Sequence, residues 1–265
     1  MARLRTAGGV ANIAGKAYIV NETRNMNENS TILLPLDFDS ADSAYDMAAR
    51  LSPHVYGVKV GLQLINSAGF EVIEKLQSEL NVRVFYDCKF HDIPNTVMGA
   101  SEAATNRGVW MFNVHAAGGI EMLKAAIEGA RRGTKSVSRR PLVIAVTVLT
   151  SVSSASLRSE LGVHRTMEEQ VVALAKMSQD CGLDGVVASP LEIKAIREAC
   201  GPDFLIVTPG VRPANSDAHD QKRMMTPMDA VSAGSDYLVI GRPITHASSP
   251  ETAAEAINAS LVQTC

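Results

Sequence analysis

The sequence predicts a single (β/α)8 barrel, and three observations carry that prediction. Eight short runs rich in β-branched residues recur along the chain, and helical stretches lie between and after them. The runs are apolar throughout rather than alternating, as parallel strands covered by helices are. The chain's 265 residues show no linker and no shift in composition, and a length of about 250 is customary for one such barrel. A doubly wound open sheet is the competing architecture; the even number of strand–helix units favours closure.

Residues 1–30 are rich in Gly, Ala and Asn without a sustained period, and are expected to form a loosely structured N-terminal extension to a barrel at 31–265. The eight strands are expected over 31–37, 54–60, 82–89, 109–115, 142–149, 185–189, 204–208 and 237–241. The first helix, over 40–51, opens at Ser40, a capping residue, and carries Asp42 and Asp46 early, where a helix dipole favours negative charge. A long helix over 62–80 follows, with Leu64, Ile65, Phe70, Ile73 and Leu76 on its apolar face. Further helices are expected over 96–107, 120–132, 166–181, 191–200, 228–233 and 252–262.

Composition narrows the function. With 46% hydrophobic and 20% charged residues the chain fits a globular domain of enzyme size. Lys and Arg total 25 against 28 Asp and Glu, a net charge of −3. That balance argues against a broad nucleic-acid or membrane face, yet leaves room for a few basic groups around a small phosphorylated ligand. Cys88, Cys181, Cys200 and Cys265 are far apart and form no Cys-x-x-Cys pair, which argues against structural zinc and for reduced thiols. The first twenty residues break up at Gly8, Gly9, Asn12, Gly15 and Lys16, a poor signal-peptide core. Without that core or a membrane-length apolar run, a cytoplasmic protein is expected.

In a barrel the chemistry gathers where the strands end. Here those ends carry Asp37, Lys59, Asp87-Cys88-Lys89, His115, Thr150-Ser151 and Gly241-Arg242. Charged residues closing apolar strands are costly unless paired or solvated. Alternation along the third strand puts Asp87 and Lys89 on one face and turns Cys88 into the packing. Together with Asp37 and Lys59 they would form a carboxylate–ammonium cluster in which each lysine adjoins two carboxylates and stays protonated. A protonated lysine donates protons and is a poor Schiff-base nucleophile. A structural salt-bridge network is the bland alternative. A metal held by Asp87, His91, Asp92 and His115 is another, although two lysines in the same cluster would repel a cation.

Gly241-Arg242-Pro243 after the eighth strand suits a phosphate: Gly allows close approach, Arg supplies a bidentate fork and Pro243 opens a short helix. The long polar connection after the seventh strand contains Arg212 and Gln221. It is read as a lid that closes over that phosphate, with an ordinary surface loop as the alternative.

Several of these segments recur together in order: Lys59-Val60-Gly61, Asp87-Cys88-Lys89-Phe90-His91-Asp92-Ile93-Pro94-Asn95-Thr96, Asn113-Val114-His115-Ala116, Val146-Thr147-Val148-Leu149-Thr150-Ser151, Thr208-Pro209-Gly210-Val211-Arg212, Asp220-Gln221 and Gly241-Arg242-Pro243-Ile244-Thr245. From about 32 to 258 the chain closely resembles the bacterial orotidine 5′-phosphate decarboxylases. The decapeptide from Asp87 to Thr96 is the most specific part. Cys88 departs from the pattern, standing where an aliphatic residue is usual.

The resemblance implies a decarboxylation of orotidine 5′-monophosphate (OMP) to UMP with no cofactor and no metal. It makes Lys89 the donor that protonates C6 and Asp87 the carboxylate facing the departing CO2. Lys59 and Asp37 would order the network and hold the ribose hydroxyls, and Thr150 and Ser151 would contact the pyrimidine. Arg212, Gln221, Gly241 and Arg242 would grip the phosphate. Asp92 and Thr96 would reach into the partner subunit's site, which implies a homodimer with shared sites. The nearest rivals, keto-gulonate-phosphate decarboxylases and hexulose-phosphate synthases, resemble the same Asp-x-Lys-x-x-Asp core but look Mg2+-dependent, with an acidic ligand ending strand two. Lys59 at that place argues against them. A catalytically idle barrel that only binds nucleotide phosphate is the rival of another class.

Overall fold

The structure is a computed structural model that describes residues 26–212 and 225–262. Eight parallel strands pair in sequence order and close on themselves, the first hydrogen-bonded to both the second and the eighth. They are β1 (Ile32–Pro35), β2 (Gly57–Gly61), β3 (Val84–Phe90), β4 (Met111–His115), β5 (Leu142–Val146), β6 (Gly185–Val187), β7 (Leu205–Pro209) and β8 (Tyr237–Val239). Each falls on one of the eight apolar runs. The observed strands are mostly shorter, because the C-terminal residues of several runs leave the ladder to become the loops that carry the site.

The first half of the helical layer is α1 (Ala41–Leu51), α2 (Leu62–Ala68), α3 (Glu71–Leu80), α4 (Pro94–Asn106) and α5 (Gly119–Gly133). The second is α6 (Ser154–Ser159), α7 (Met167–Asp180), α8 (Ile193–Cys200), α9 (Pro227–Ser232), α10 (Arg242–Thr245) and α11 (Pro250–Val262). Ser40 caps α1 by accepting from Ser43 N, and Thr166 with Glu169 forms a reciprocal capping box on α7. The single helix expected over 62–80 is two: Gly69 adopts φ +78° and stops α2, the left-handed turn that glycine tolerates best. The short helix α6 lies in a stretch where no helix was expected.

Two layers of core result. Leu33, Phe85, Met111, Ile144, Leu205 and Val207 fill the barrel, and Tyr56, Trp110 and Tyr237 close its lower end with ring centroids 5.0–5.5 Å apart. The larger core lies between strands and helices. There α4 and α5 approach so closely that a Cβ on Gly129 would sit 2.1 Å from Met98 O. Both helices are therefore fixed behind β3, which bears Asp87 and Lys89 of the charged cluster, and its neighbour β4.

The N-terminal ends of the strands are pinned by ion pairs. Asp184 accepts from Arg140 and from Val143 N, and Asp236 from Arg197 and Ile206 N. Glu28 accepts from the buried Arg83 guanidinium at 2.6 Å, and Met26 is buried in the core beside it. Barrel packing therefore begins by Met26 rather than at Thr31. In this stretch Met26 and Glu28 are held by Arg83 and Asn27 N donates to Val55 O, so 26–30 is fastened rather than loosely packed; residues 1–25 lie outside the described set. No helix among the described residues is long and apolar enough to cross a membrane.

Candidate active site

The C-terminal ends of β1, β2 and β3 bring four charged side chains together. Lys59 lies inside β2, its side chain 10% exposed, with Nζ 3.1 Å from Asp37 Oδ1 and 3.2 Å from Asp87 Oδ2. Lys89 Nζ lies 2.6 Å from Asp87 Oδ1. Asp87 thus bridges the two ammonium groups, while Asp37, 53% exposed, faces outward from Lys59. A side chain at Gly61 would enter this space, since a Cβ there would stand 2.9 Å from Lys59 Nζ.

Burial opposes the charged form of Lys59, but Asp87 and Asp37 outweigh it by charge and hydrogen bonding, and the ammonium's pKa is raised. Asp87 is the mirror case: burial opposes its charge, and Lys59, Lys89 and a hydrogen bond from Asn113 bring its pKa below the usual range. The sign follows from each direction. Asp87 stays ionised until pH falls below the ordinary carboxylate range, and Lys59 stays cationic until pH rises past the ordinary lysine value. Each charge helps to hold the other in place; removing one partner of such a buried pair costs about 3–5 kcal/mol.

Strand alternation does not by itself place Lys89. The β3–β4 register shifts between Tyr86 and Phe90, and Lys89 takes φ +49°, a left-handed conformation that costs a non-glycine residue about 1–2 kcal/mol. Asp87 and Lys89 do share the barrel face, with Cys88 turned into the packing as expected. Its sulfur donates to Asn113 O at 3.1 Å, and burial pushes its thiol up to about 12. That thiol is neutral and structural.

Among the described residues the expectation of two carboxylates per lysine holds for Lys59 alone. Lys89 pairs with Asp87, the other expected carboxylate, Asp37, being taken up by Lys59, and beyond Lys89 the chain turns away and carries Asp92 to the surface. There Asp92 Oδ1 accepts from Ile93 N at 2.6 Å. The whole run from His91 to Thr96 is exposed, Ile93 by 67%, and among the described residues no hydrogen bond or ion pair links Asp92 or Thr96 to the cluster. His91 and His115 stack loosely at the rim with ring centroids 5.3 Å apart. Burial, then His91 and Lys89, lower the His115 pKa. The metal reading of Asp87, His91, Asp92 and His115 meets a geometric obstacle: both Asp87 oxygens are engaged by lysines. Among the described residues no three His, Cys, Asp or Glu side chains converge as a metal-holding set.

A cleft of about 190 Å3 opens over the cluster. Lys59, Asp87 and Lys89 form its charged side, Val146, Val187, Pro209 and Val239 its apolar side, and Thr150 its edge. It suits a flat, partly apolar group presenting an anion to the lysines. Ser151 is exposed just beyond Thr150. A larger cleft of about 410 Å3 at the opposite end of the barrel holds Arg83 and Arg140, both already committed to ion pairs with Glu28 and Asp184. Chemistry, not volume, selects the site.

The expected phosphate corner is partly in view. Gly241, two residues beyond β8, packs against Pro35, where a Cβ would approach to 2.7 Å, and Arg242 opens α10, half-buried. Val211 bridges Met225, and Arg212 N donates to Met225 O at 3.1 Å, so the two ends of the long connection after β7 are held together. The Arg212 residue is 7% exposed. Gln221, expected to join it, lies outside the described residues.

One participant was not anticipated. Asn113, fully buried in β4, donates to Asp87 Oδ1 at 2.7 Å and accepts from Lys89 N at 2.7 Å. Its signal in the sequence is a lone amide inside the apolar strand Met111-Phe112-Asn113-Val114. A buried amide needs partners.

A family model described as orotidine 5′-phosphate decarboxylase / HUMPS family matches residues 30–257. The chain is 50% identical over 243 residues to the orotidine 5′-phosphate decarboxylase of Moorella thermoacetica, covering 91% of this chain and 96% of that protein. It is 52% identical over 233 residues to that of Heliobacterium modesticaldum, covering 88% and 96%. The crystal structure of the orotidine 5′-phosphate decarboxylase from Lactobacillus acidophilus superposes with a TM-score of 0.78 at 42% identity, over 88% of this chain and 98% of that one.

Proposed function

The chain belongs to the orotidine 5′-phosphate decarboxylase family, whose reaction takes OMP to UMP and CO2 in pyrimidine biosynthesis, and we propose that it does so without a cofactor, through Lys89. The observation that carries this reading is the 2.6 Å ion pair of Lys89 with Asp87, set beside Lys59 on the charged side of the cleft.

The chemistry follows from what the reaction demands. The bond from C6 to the carboxylate breaks, CO2 leaves, and the electron pair stays on C6 as a localised carbanion. Such an anion needs a fixed cation beside it and a proton within reach. The Lys89 ammonium supplies both: its N–H transfers to C6, and the resulting amine regains a proton from solvent. Asp87 faces the departing carboxylate and fixes the direction of Lys89. Lys59 offsets the charge of Asp87 and, with Asp37, holds the ribose hydroxyls. Thr150 and Ser151 contact the pyrimidine ring.

Arg242 and the backbone at Gly241 grip the phosphate, with Arg212 and Gln221 closing over it. This grip lies away from the reacting carbon, so its binding energy acts through substrate capture and closure. Arg242→Ala is expected to lower kcat/KM for OMP by about 10- to 100-fold, the worth of a hydrogen bond to a charged group, with a smaller fall in kcat. Equal falls in both would assign the contact to the transition state alone; steady-state kinetics decides.

The exposed run from Asp92 to Thr96 supports a homodimer of this soluble, cytoplasmic enzyme in which each copy completes the other's site. A charged residue and a 67% exposed isoleucine side by side suit a surface that a second copy covers. The test of the reaction itself is the loss of orotidylate ultraviolet absorbance, followed with and without EDTA. Turnover unaffected by EDTA is expected. Loss of activity with EDTA would favour the Mg2+-dependent sugar-phosphate branch, and no turnover at all would favour a barrel that merely binds nucleotide.

A further inference from the structure

We propose that Asn113 is the positioning residue that aims the proton donor: one buried amide holds Lys89 in its left-handed backbone conformation and ties Asp87 to it. The inference rests on Lys89 being the donor.

The side chain of Asn113 is built into a gap in the sheet. The β3–β4 ladder loses register between Tyr86 and Phe90 and resumes at Phe90 opposite Val114. Across the break it is the Asn113 side chain that meets β3: Oδ1 accepts from Lys89 N, and Nδ2 donates to Asp87 Oδ1, each at 2.7 Å. Only one orientation of the amide satisfies both, because a backbone N–H must face the oxygen and an ionised carboxylate must face the NH2. The Asp87 oxygen that receives this bond is the one that receives Lys89 Nζ at 2.6 Å. The backbone oxygen of Asn113 also accepts from Cys88 Sγ. Three consecutive residues of β3 are therefore fixed by one residue of β4.

Without that amide, the left-handed turn at Lys89 loses the side-chain hydrogen bond that ties its backbone to β4. Lys89 N would be left without its partner, and the ammonium could swing out of the cleft, since its side chain is already 29% exposed. No isostere does the same work. A leucine offers neither bond, and an aspartate keeps the acceptor for Lys89 N but sets a second carboxylate against Asp87.

The test uses the full-length Asn113→Ala and Asn113→Asp enzymes. For Asn113→Ala, kcat on OMP is expected to fall by about 100-fold or more while UMP affinity by calorimetry stays within about threefold, because aim is lost and the phosphate grip is not. For Asn113→Asp, activity relative to the unsubstituted enzyme is expected to climb about tenfold or more as pH is lowered from about 8 to about 5, as the new carboxyl takes up a proton and becomes a donor to Asp87. Taking the ratio cancels the ionisation of the substrate, and a merely structural role would not move it. The proposal is overturned if Asn113→Ala keeps kcat within about threefold, if its UMP affinity falls as far as kcat, or if the Asn113→Asp ratio is flat with pH. Should Asn113→Ala fail to fold, the Asn113→Asp ratio decides alone. Failure of these variants leaves Lys89 standing as donor; failure of the unsubstituted chain to consume OMP removes the reading beneath it.

Discussion

Replacing Lys89 by alanine is expected to lower kcat by more than about 10^4-fold while UMP still binds. Two contributions vanish together. A positioned general acid is worth about 10^2- to 10^4-fold, and a fixed charge aimed at a developing anion about 10^2- to 10^3-fold. The substitution also leaves Asp87 with Lys59 and Asn113 as its remaining partners, so a carboxylate that had been divided between two cations faces the substrate's own carboxylate less well compensated. Binding of UMP is expected to be spared because the proposed phosphate grip lies beyond β7 and β8, across the barrel from β3. Steady-state kinetics with calorimetry on UMP checks both halves. A variant retaining more than about a hundredth of the parent kcat would remove Lys89 from the proton transfer.

Asp92→Ala is expected to be nearly as damaging, although within its own chain this residue touches nothing in the cluster. The two inactive chains should then repair one another. In an equal mixture of Lys89→Ala and Asp92→Ala chains half the dimers are mixed, and one of the two sites in each mixed dimer has both residues intact, giving about one quarter of the parent activity for isologous shared sites. If exchange of subunits is verified and the mixture shows only the sum of its two components, Asp92 acts within its own chain.

The barrel was legible because each strand must be apolar on both faces, one packed inside the ring and one beneath helices, and the segments at Leu142–Val146 and Leu205–Pro209 read that way without a neighbour's help. Helix ends were legible where a side chain competes for the backbone, as Ser40 and Thr166 do. The break at Gly69 was not, since a glycine inside a periodic stretch is equally consistent with a tolerated helical residue. Nor was the fastening of 26–30, whose lone apolar anchor, Met26, has no period to announce it.

For the site, Asp37, Lys59, Asp87 and Lys89 stood out as charges ending apolar strands, and the fold gathers all four. What a strand pattern cannot convey is departure from the strand. The left-handed φ of Lys89 and the slipped register at Tyr86 arise from the long-range partner Asn113, 24 residues on. The same turn carries Asp92 away from the cluster to the surface.

The most direct test of Lys89 as proton donor is a crystal structure of this enzyme with a UMP-like inhibitor. The ammonium of Lys89 is expected within about 3–3.5 Å of ring atom C6, still paired with Asp87. An ammonium lying more than about 5 Å away, or directed at the phosphate or the solvent instead, would contradict the mechanism, because a donor beyond hydrogen-bond reach delivers no proton.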